Sequence, residues 1–220
     1  MKITDEIHQV GGGGLSASED AAVYLISFDG HAALVDAGCG SATGRIVKNI
    51  EACGVTLEQV RYLFLTHCHF DHTGGAGELA DRLGCKIVAH ALDAVYLEKG
   101  DSGVTAARWY GAEIHPFHVD IKIEGAGEVI SLGEKTIQAI HVPGHSPGSV
   151  VYLTESHGKK VLFGQDVHGP LHTDLLSDQD QYIASLQHLL NIEADILCEG
   201  HFGVYKGRQA VREFIESYLR

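Results

Sequence analysis

Hydrophobic and polar positions along the chain switch between two spacings, one suited to strands and one to helices. Ala21–Phe28 (AAVYLISF) and His31–Asp36 (HAALVD) are β-rich runs on either side of Asp29-Gly30, a pair that favours positive φ, so they predict a hairpin. Gly11–Gly14 predicts a turn between two early strands. Ser41–Cys53 changes to helical spacing, with Ile46, Val47 and Ile50 on one face and Gly54 as the stop. Arg61–Thr66 (RYLFLT) is a short apolar strand that runs directly into His67. Gly77–Leu83, closed by Gly84, predicts a helix, Lys86–Ala89 a strand and Ala91–Glu98 another helix.

From Gly100 to His118 the periodicity is lost, in a stretch that holds the only Trp, Trp109, together with Tyr110, Pro116 and Phe117. A five-strand meander is expected next: Val119–Glu124, Glu128–Leu132, Lys135–Val142, Ser149–Thr154 and Lys159–Phe163. Asp178–Leu190 reads as an amphipathic helix, Asp195–Cys198 as a short strand and Gly207–Leu219 as a terminal helix with Val211, Phe214, Ile215 and Tyr218 on one side. Two β-rich blocks interleaved with helices predict an α/β fold of two face-to-face sheets with helices outside, rather than a doubly wound parallel sheet. No repeat or linker divides the chain, so one domain over residues 1–220 is expected.

Composition narrows the partners. The 220 residues are 45% hydrophobic and 20% charged, enough to bury a core, and the formal net charge of −13 argues against a nucleic-acid backbone or an anionic membrane as partner. Fifteen His is a high count for this length. The amino-terminal MKITDEIHQVGGGG lacks the apolar core of a signal peptide, and no run approaches the roughly 20 apolar residues of a membrane span. Five Cys without CxxC spacing read as reduced thiols, so a cytoplasmic location is expected.

The chemistry concentrates in Thr66-His67-Cys68-His69-Phe70-Asp71-His72-Thr73-Gly74-Gly75. Extended backbone puts i and i+2 on one side, so His67 and His69 can grip one ion while Cys68 points to the opposite face as a packed thiol. Asp71 and His72, where the chain turns into the next helix, can face a neighbouring ion. Imidazole and carboxylate donors suit zinc, iron or manganese. Gly74 and Gly75 imply close backbone approach. Three further polar residues fall at the ends of predicted strands: His145 in His-Val-Pro-Gly-His-Ser-Pro-Gly, Asp166 in Phe-Gly-Gln-Asp and His201 in Glu-Gly-His-Phe-Gly.

With the H-x-H-x-D-H motif at 67–72 followed by His145, Asp166 and His201, the chain resembles the metallo-β-lactamase superfamily over nearly its whole length. The resemblance implies an αββα sandwich of two mixed β-sheets with outer helices and a metal groove at one edge of the sheets. It also implies one ion on His67, His69 and His145, a second on Asp71, His72 and His201, and Asp166 bridging them. The implied cofactor is two divalent ions, zinc first, with iron or manganese as alternatives. The implied activity is a metallo-hydrolase in which a bridging hydroxide attacks an ester, thioester, lactone or phosphoester, with Asp71 as the catalytic residue that passes a proton to the leaving group.

True β-lactamases of the family generally lack the carboxylate found here at Asp166, so antibiotic hydrolysis is not the expected task. The chain ends soon after its last ligand helix, leaving no room for the extra helical domain with which hydroxyacylglutathione hydrolases hold glutathione. Val-His-Gly-Pro-Leu-His-Thr-Asp (167–174) replaces the Gly-Arg-rich stretch of the thioesterase and persulfide dioxygenase branches. The alternative on the same scaffold is an iron-containing redox protein, persulfide dioxygenase-like or di-iron and oxygen-reactive; a third is a non-catalytic sensor with a vestigial site. A small-molecule substrate is expected, and an exposed Trp109-Tyr110 segment would equally suit a homodimer interface. Substrate contacts are expected from His168, His172, Trp109 and Tyr205, and an apolar lid from Trp109, Tyr110 and Phe117.

Overall fold

The computed structural model describes residues 1–219. Its strands are β1 (Ile7–Gly11), β2 (Val23–Phe28), β3 (His31–Val35), β4 (Val60–Phe64), β5 (Lys86–His90) and β6 (Ile121–Ile123), then β7 (Gly127–Leu132), β8 (Lys135–His141), β9 (Val150–Ser156), β10 (Lys159–Phe163), β11 (Ile196–Cys198) and β12 (Val204–Lys206). Its helices are α1 (Thr43–Ala52), α2 (Phe70–Thr73), α3 (Ala76–Leu83), α4 (Ala91–Lys99), α5 (Gln179–Ile192) and α6 (Arg208–Glu216). The first six strands form one sheet in chain order, and the last six form the other in the order β12-β11-β10-β9-β8-β7. Both sheets are mixed: β3 to β6 run parallel after an antiparallel β1-β2-β3, and β10 and β11 are a parallel pair within an otherwise antiparallel sheet.

Strand alternation explains the layers. In β2, Val23 and Leu25 join the cluster under α1, α3 and α4, whereas Tyr24, Ile26 and Phe28 face the second sheet. The inner layer interleaves Phe64, Val88 and Ile123 of the first sheet with Ile137, Tyr152 and Phe163 of the second. A third cluster, with Leu162, Leu197, Tyr182, Leu186, Phe214 and Ile215, seats α5 and α6 on the far face. The order helix, sheet, sheet, helix is the αββα sandwich expected. The β2–β3 hairpin turns on Asp29 and Gly30 at φ 45° and 82°, the positive angles that dipeptide favours.

One expectation is corrected. The segment expected to open the second meander, Val119–Glu124, instead supplies β6, which closes the first sheet beside β5, with Val88 opposite Ile121. A parallel neighbour needs a long crossover, and α4 with the irregular 100–118 segment provides it. β1 is the early strand expected before the Gly11–Gly14 turn, whereas the three-residue edge strand β12 carried too few residues for a period-two signal. Among the described residues no helix is long and apolar enough to cross a membrane.

Strand direction places the chemistry. β3, β4, β8, β10 and β11 all finish at the same edge of the sandwich, so the residues following them converge there. Hydrogen bonds tie the two sheets together at that edge: Val150 N–H to Thr66 O at 2.7 Å, Ala22 N–H to Gly200 O at 2.8 Å and Tyr152 Oη to Leu65 O at 2.9 Å.

Candidate metal centre

The chain leaves β4 and turns through His67 and His69 into the single turn α2, which carries Asp71 and His72. His145 lies in the loop between β8 and β9, Asp166 after β10 and His201 after β11. The structure brings all seven together. His67, His69, His145 and Asp166 offer donor atoms within 4.8 Å of one another, as do Asp71, His72 and His201. Asp166 divides its carboxylate between the groups. Oδ2 lies 3.3 Å from His145 Nε2 and 3.7 Å from His67 Nε2, and Oδ1 lies 3.2 Å from His72 Nε2 and 3.3 Å from His201 Nε2. His201 Nε2 is also 3.2 Å from Asp71 Oδ2.

This packing of polar atoms fits divalent cations. His67 Nε2 and His145 Nε2 face each other at 3.3 Å, and His69 Nε2, His72 Nε2 and Asp166 Oδ1 are buried without a well-formed hydrogen bond. Burying such groups is costly unless something charge-complementary pairs with them. Burial, then the neighbouring imidazoles, holds His67 and His69 well below the ordinary histidine range. Neutral imidazoles with free lone pairs are what a metal ion requires. Burial opposes charge on His72 too, but Asp166, Asp71 and Asp36 outweigh it and push His72 well up. Burial raises Asp166, yet the charge of His72 and the close His145 and His201 imidazoles, each 3.3 Å away, hold it well below the carboxylate range.

Groups behind these residues fix their rings. Asp36 accepts from Thr66 N–H and Thr66 Oγ1, both at 2.8 Å, and pairs with His72 Nδ1 at 2.7 Å. The Pro170 carbonyl lies 2.9 Å from His145 Nδ1, and Thr66 Oγ1 lies 3.0 Å from His67 Nδ1. Each contact leaves Nε2 as the free nitrogen, aimed at the cluster. Asp36 and Asp166 have φ of 63° and 53°, a left-handed conformation that costs a non-glycine residue about 1 kcal/mol or more. Both sit where a strand ends and the side chain must be aimed inwards.

Asp93, on the first turn of α4, was not legible as part of the site. Its Oδ2 accepts from Cys68 N–H at 2.8 Å and Ser146 Oγ at 2.6 Å, and its Oδ1 accepts from Gly148 N–H at 2.7 Å. One buried carboxylate thereby ties the loop carrying His67 and His69 to the loop carrying His145. A Cβ on Gly148 would stand 2.6 Å from Asp93 N, so this approach requires glycine. Burial raises Asp93, with the bonds from Ser146, Gly148 and Cys68 pulling against it. A short polar residue in a helical run carries no sequence signal for such a role. Glu199 was likewise missed.

The weaker expectations divide. Cys68 is fully buried in the core, with its thiol pushed well up by burial and by Asp93. Backbone approach explains the Gly pair, since a Cβ would meet Cys39 O at 2.5 Å from Gly74 and Ala37 O at 2.6 Å from Gly75. Trp109, 54% exposed, meets His172 edge-on at 5.2 Å, joining the 100–118 and 167–177 loops. Tyr110 lies 5.6 Å from Phe70, and burial followed by the charge of Asp71 pushes its phenol up. Phe117 packs against the first-sheet core beside α3 rather than joining these aromatics. His168 comes within reach of Asp166 and His201. Tyr205 does not join the site: on β12 it stacks on Phe214 of α6 at 4.1 Å, because its strand position turns it to the helix layer.

An αββα sandwich with a two-group His/Asp cluster at one sheet edge defines a class of metal-centre proteins. A sequence profile described as the Metallo-beta-lactamase superfamily matches residues 19–201. The chain belongs to that superfamily. It is similar to hydroxyacylglutathione hydrolase GloC of Haemophilus influenzae, 32% identical over 80% of this chain and 81% of that protein. It is also similar to acyl-coenzyme A thioesterase MBLAC2 of Gallus gallus, 30% identical over 70% of this chain and 60% of that protein. GloC apart, the chain spans 38–60% of the length of seven other curated relatives it matches. Among solved structures, a B3 metallo-beta-lactamase with an active-site glutamic acid superposes with a TM-score of 0.80 at 21% identity, covering 99% of this chain and 86% of that one.

Proposed function

We propose that the chain is a single-domain, cytoplasmic metallo-hydrolase that cleaves a small acyl thioester or ester at a dinuclear zinc centre. One observation carries this reading: Asp166 turns one carboxylate oxygen to the His67/His145 group and the other to the His72/His201 group. His67, His69 and His145 would hold one ion, and Asp71, His72 and His201 the other, with Asp166 shared. When bound, such a pair supplies water acidic enough to react at neutral pH and polarises the carbonyl under attack. The thioester class is supported by the names of the hydroxyacylglutathione hydrolase and acyl-coenzyme A thioesterase relatives. Five cysteines without a disulfide support a reducing compartment.

The chain's own residues do the rest. Asp36, Thr66 and the Pro170 carbonyl hold the imidazoles in the tautomer that leaves Nε2 free. Asp71, whose Oδ2 lies 3.2 Å from His201 Nε2, would carry a proton to the departing sulfur or oxygen. Trp109 and His172, in edge-on contact where the 100–118 and 167–177 loops meet, would bound the groove on that side.

The test is a panel of acyl thioesters and esters, with released thiol or acid measured alongside elemental analysis. Two zinc per chain are expected, and Asp166→Ala and His69→Ala should abolish turnover while the circular dichroism stays that of the parent. Turnover retained in both variants, or two iron with oxygen uptake and no hydrolysis, overturns the proposal.

A further inference from the structure

His168 lies two residues beyond Asp166 and outside the seven residues of the cluster. Its Nδ1 is 2.7 Å from Glu199 Oε1, and its side chain is only 15% exposed. Glu199 is fully buried, and its Oε2 accepts the backbone N–H groups of His201 and Phe202 at 2.7 and 2.9 Å. The Glu199 carbonyl accepts from Tyr24 Oη at 2.7 Å, which pins the residue from the opposite sheet. The carboxylate is thus immobile, and it fixes the His168 ring with Nδ1 engaged and Nε2 free. His72 on Asp36 shows the same arrangement at the same 2.7 Å. A carboxylate behind one ring nitrogen is the usual support of a histidine that binds metal through the other.

His168, Asp166 and His201 offer donor atoms within 4.8 Å of one another. We infer that His168 is an additional metal ligand, forming with Asp166 and His201 a second seat for the ion otherwise held by Asp71, His72 and His201. Both seats use His201, and a neutral imidazole has one lone pair, so they are alternatives for one ion and the total stays at two. Two nitrogens and a carboxylate oxygen suit zinc or cobalt(II). The inference rests on the two-ion reading above.

The experiment strips the full chain with chelator and titrates it with cobalt(II), reading the visible d–d absorption and competition with a chromophoric chelator. For His168→Ala we expect two ions still to bind, the tighter with the parent's affinity and the weaker about two- to fivefold weaker, the loss that giving up one of two comparable seats brings, with an altered cobalt spectrum. Added free imidazole should restore the spectrum. Glu199→Gln, which leaves the ring present but loosely held, should shift the weaker affinity in the same direction. A His168→Ala protein whose two affinities and spectrum match the parent overturns the inference and leaves the two-ion reading intact. A parent chain that takes up fewer than two ions overturns both.

Discussion

Replacing Asp93 by alanine should damage the centre without touching any candidate ligand. The change removes the acceptor from Cys68 N–H and Gly148 N–H, while Ser146 Oγ retains Ser149 Oγ at 2.8 Å. Two buried N–H groups left without partners cost ~1–3 kcal/mol each, or about 2–6 kcal/mol together. Burial already raises the pKa of Asp93, so removing the carboxylate returns part of that, and the net loss should be about 2–4 kcal/mol. Asp93→Asn keeps the volume but turns an amide N–H towards one of the donors, and should lose about half as much. Urea unfolding of the metal-free chain measures the stability. Zinc competition with a chelator measures the second effect, a ~10–100-fold weaker ion on the His67/His69/His145 side. Asp93→Ala within about 0.5 kcal/mol of the parent, with unchanged zinc affinity, would refute the tie between the two loops.

Asp36→Asn should weaken binding of the second ion ~10–100-fold, measured by dialysis against graded chelator, because it loosens the His72 ring. Trp109→Ala should raise KM for thioesters with bulky acyl groups and leave kcat and the acetyl substrate unaffected, since the half-exposed Trp109 ring meets His172 and is none of the seven candidate ligands. Burial, aided by the stacked His141 ring, depresses His90 below the ordinary histidine range. The unfolded chain therefore takes up a proton before the folded one, and the stability contributed by neutral His90 is lost as pH falls below about 6.5. His90→Asn, which keeps a cap for the Leu92 N–H, should flatten the acid limb of a urea-midpoint profile relative to the parent.

The layers were legible where apolar alternation ran long enough, as in β2 and β3, and where glycine marked a stop, as at Gly84 after α3. The meander boundary was misplaced because Ile121–Ile123 has the same apolar character whichever sheet it joins; the crossover through α4 decides it. The seven candidate ligands could be named because each follows an apolar strand at a break in periodicity. Asp36 was visible only as the end of a hairpin, Asp93 only as a helix residue and Glu199 only as a neighbour of His201. What singles them out is the set of backbone N–H groups they receive from loops distant in sequence, which spacing does not encode. Tyr205 shows the converse: four residues from His201, it is turned away by the pleat of a three-residue strand.

Each sheet is built from a continuous stretch of chain, 7–123 for one and 127–206 for the other, and each contributes part of the donor set. Four candidate ligands come from the first stretch and three from the second. A proteolytic nick at the exposed 124–126 turn would therefore yield two fragments, neither with a complete donor set for the pair of ions. Their reassociation should strengthen with added zinc and weaken with chelator, so the ions would serve as a clasp between fragments as well as a reagent.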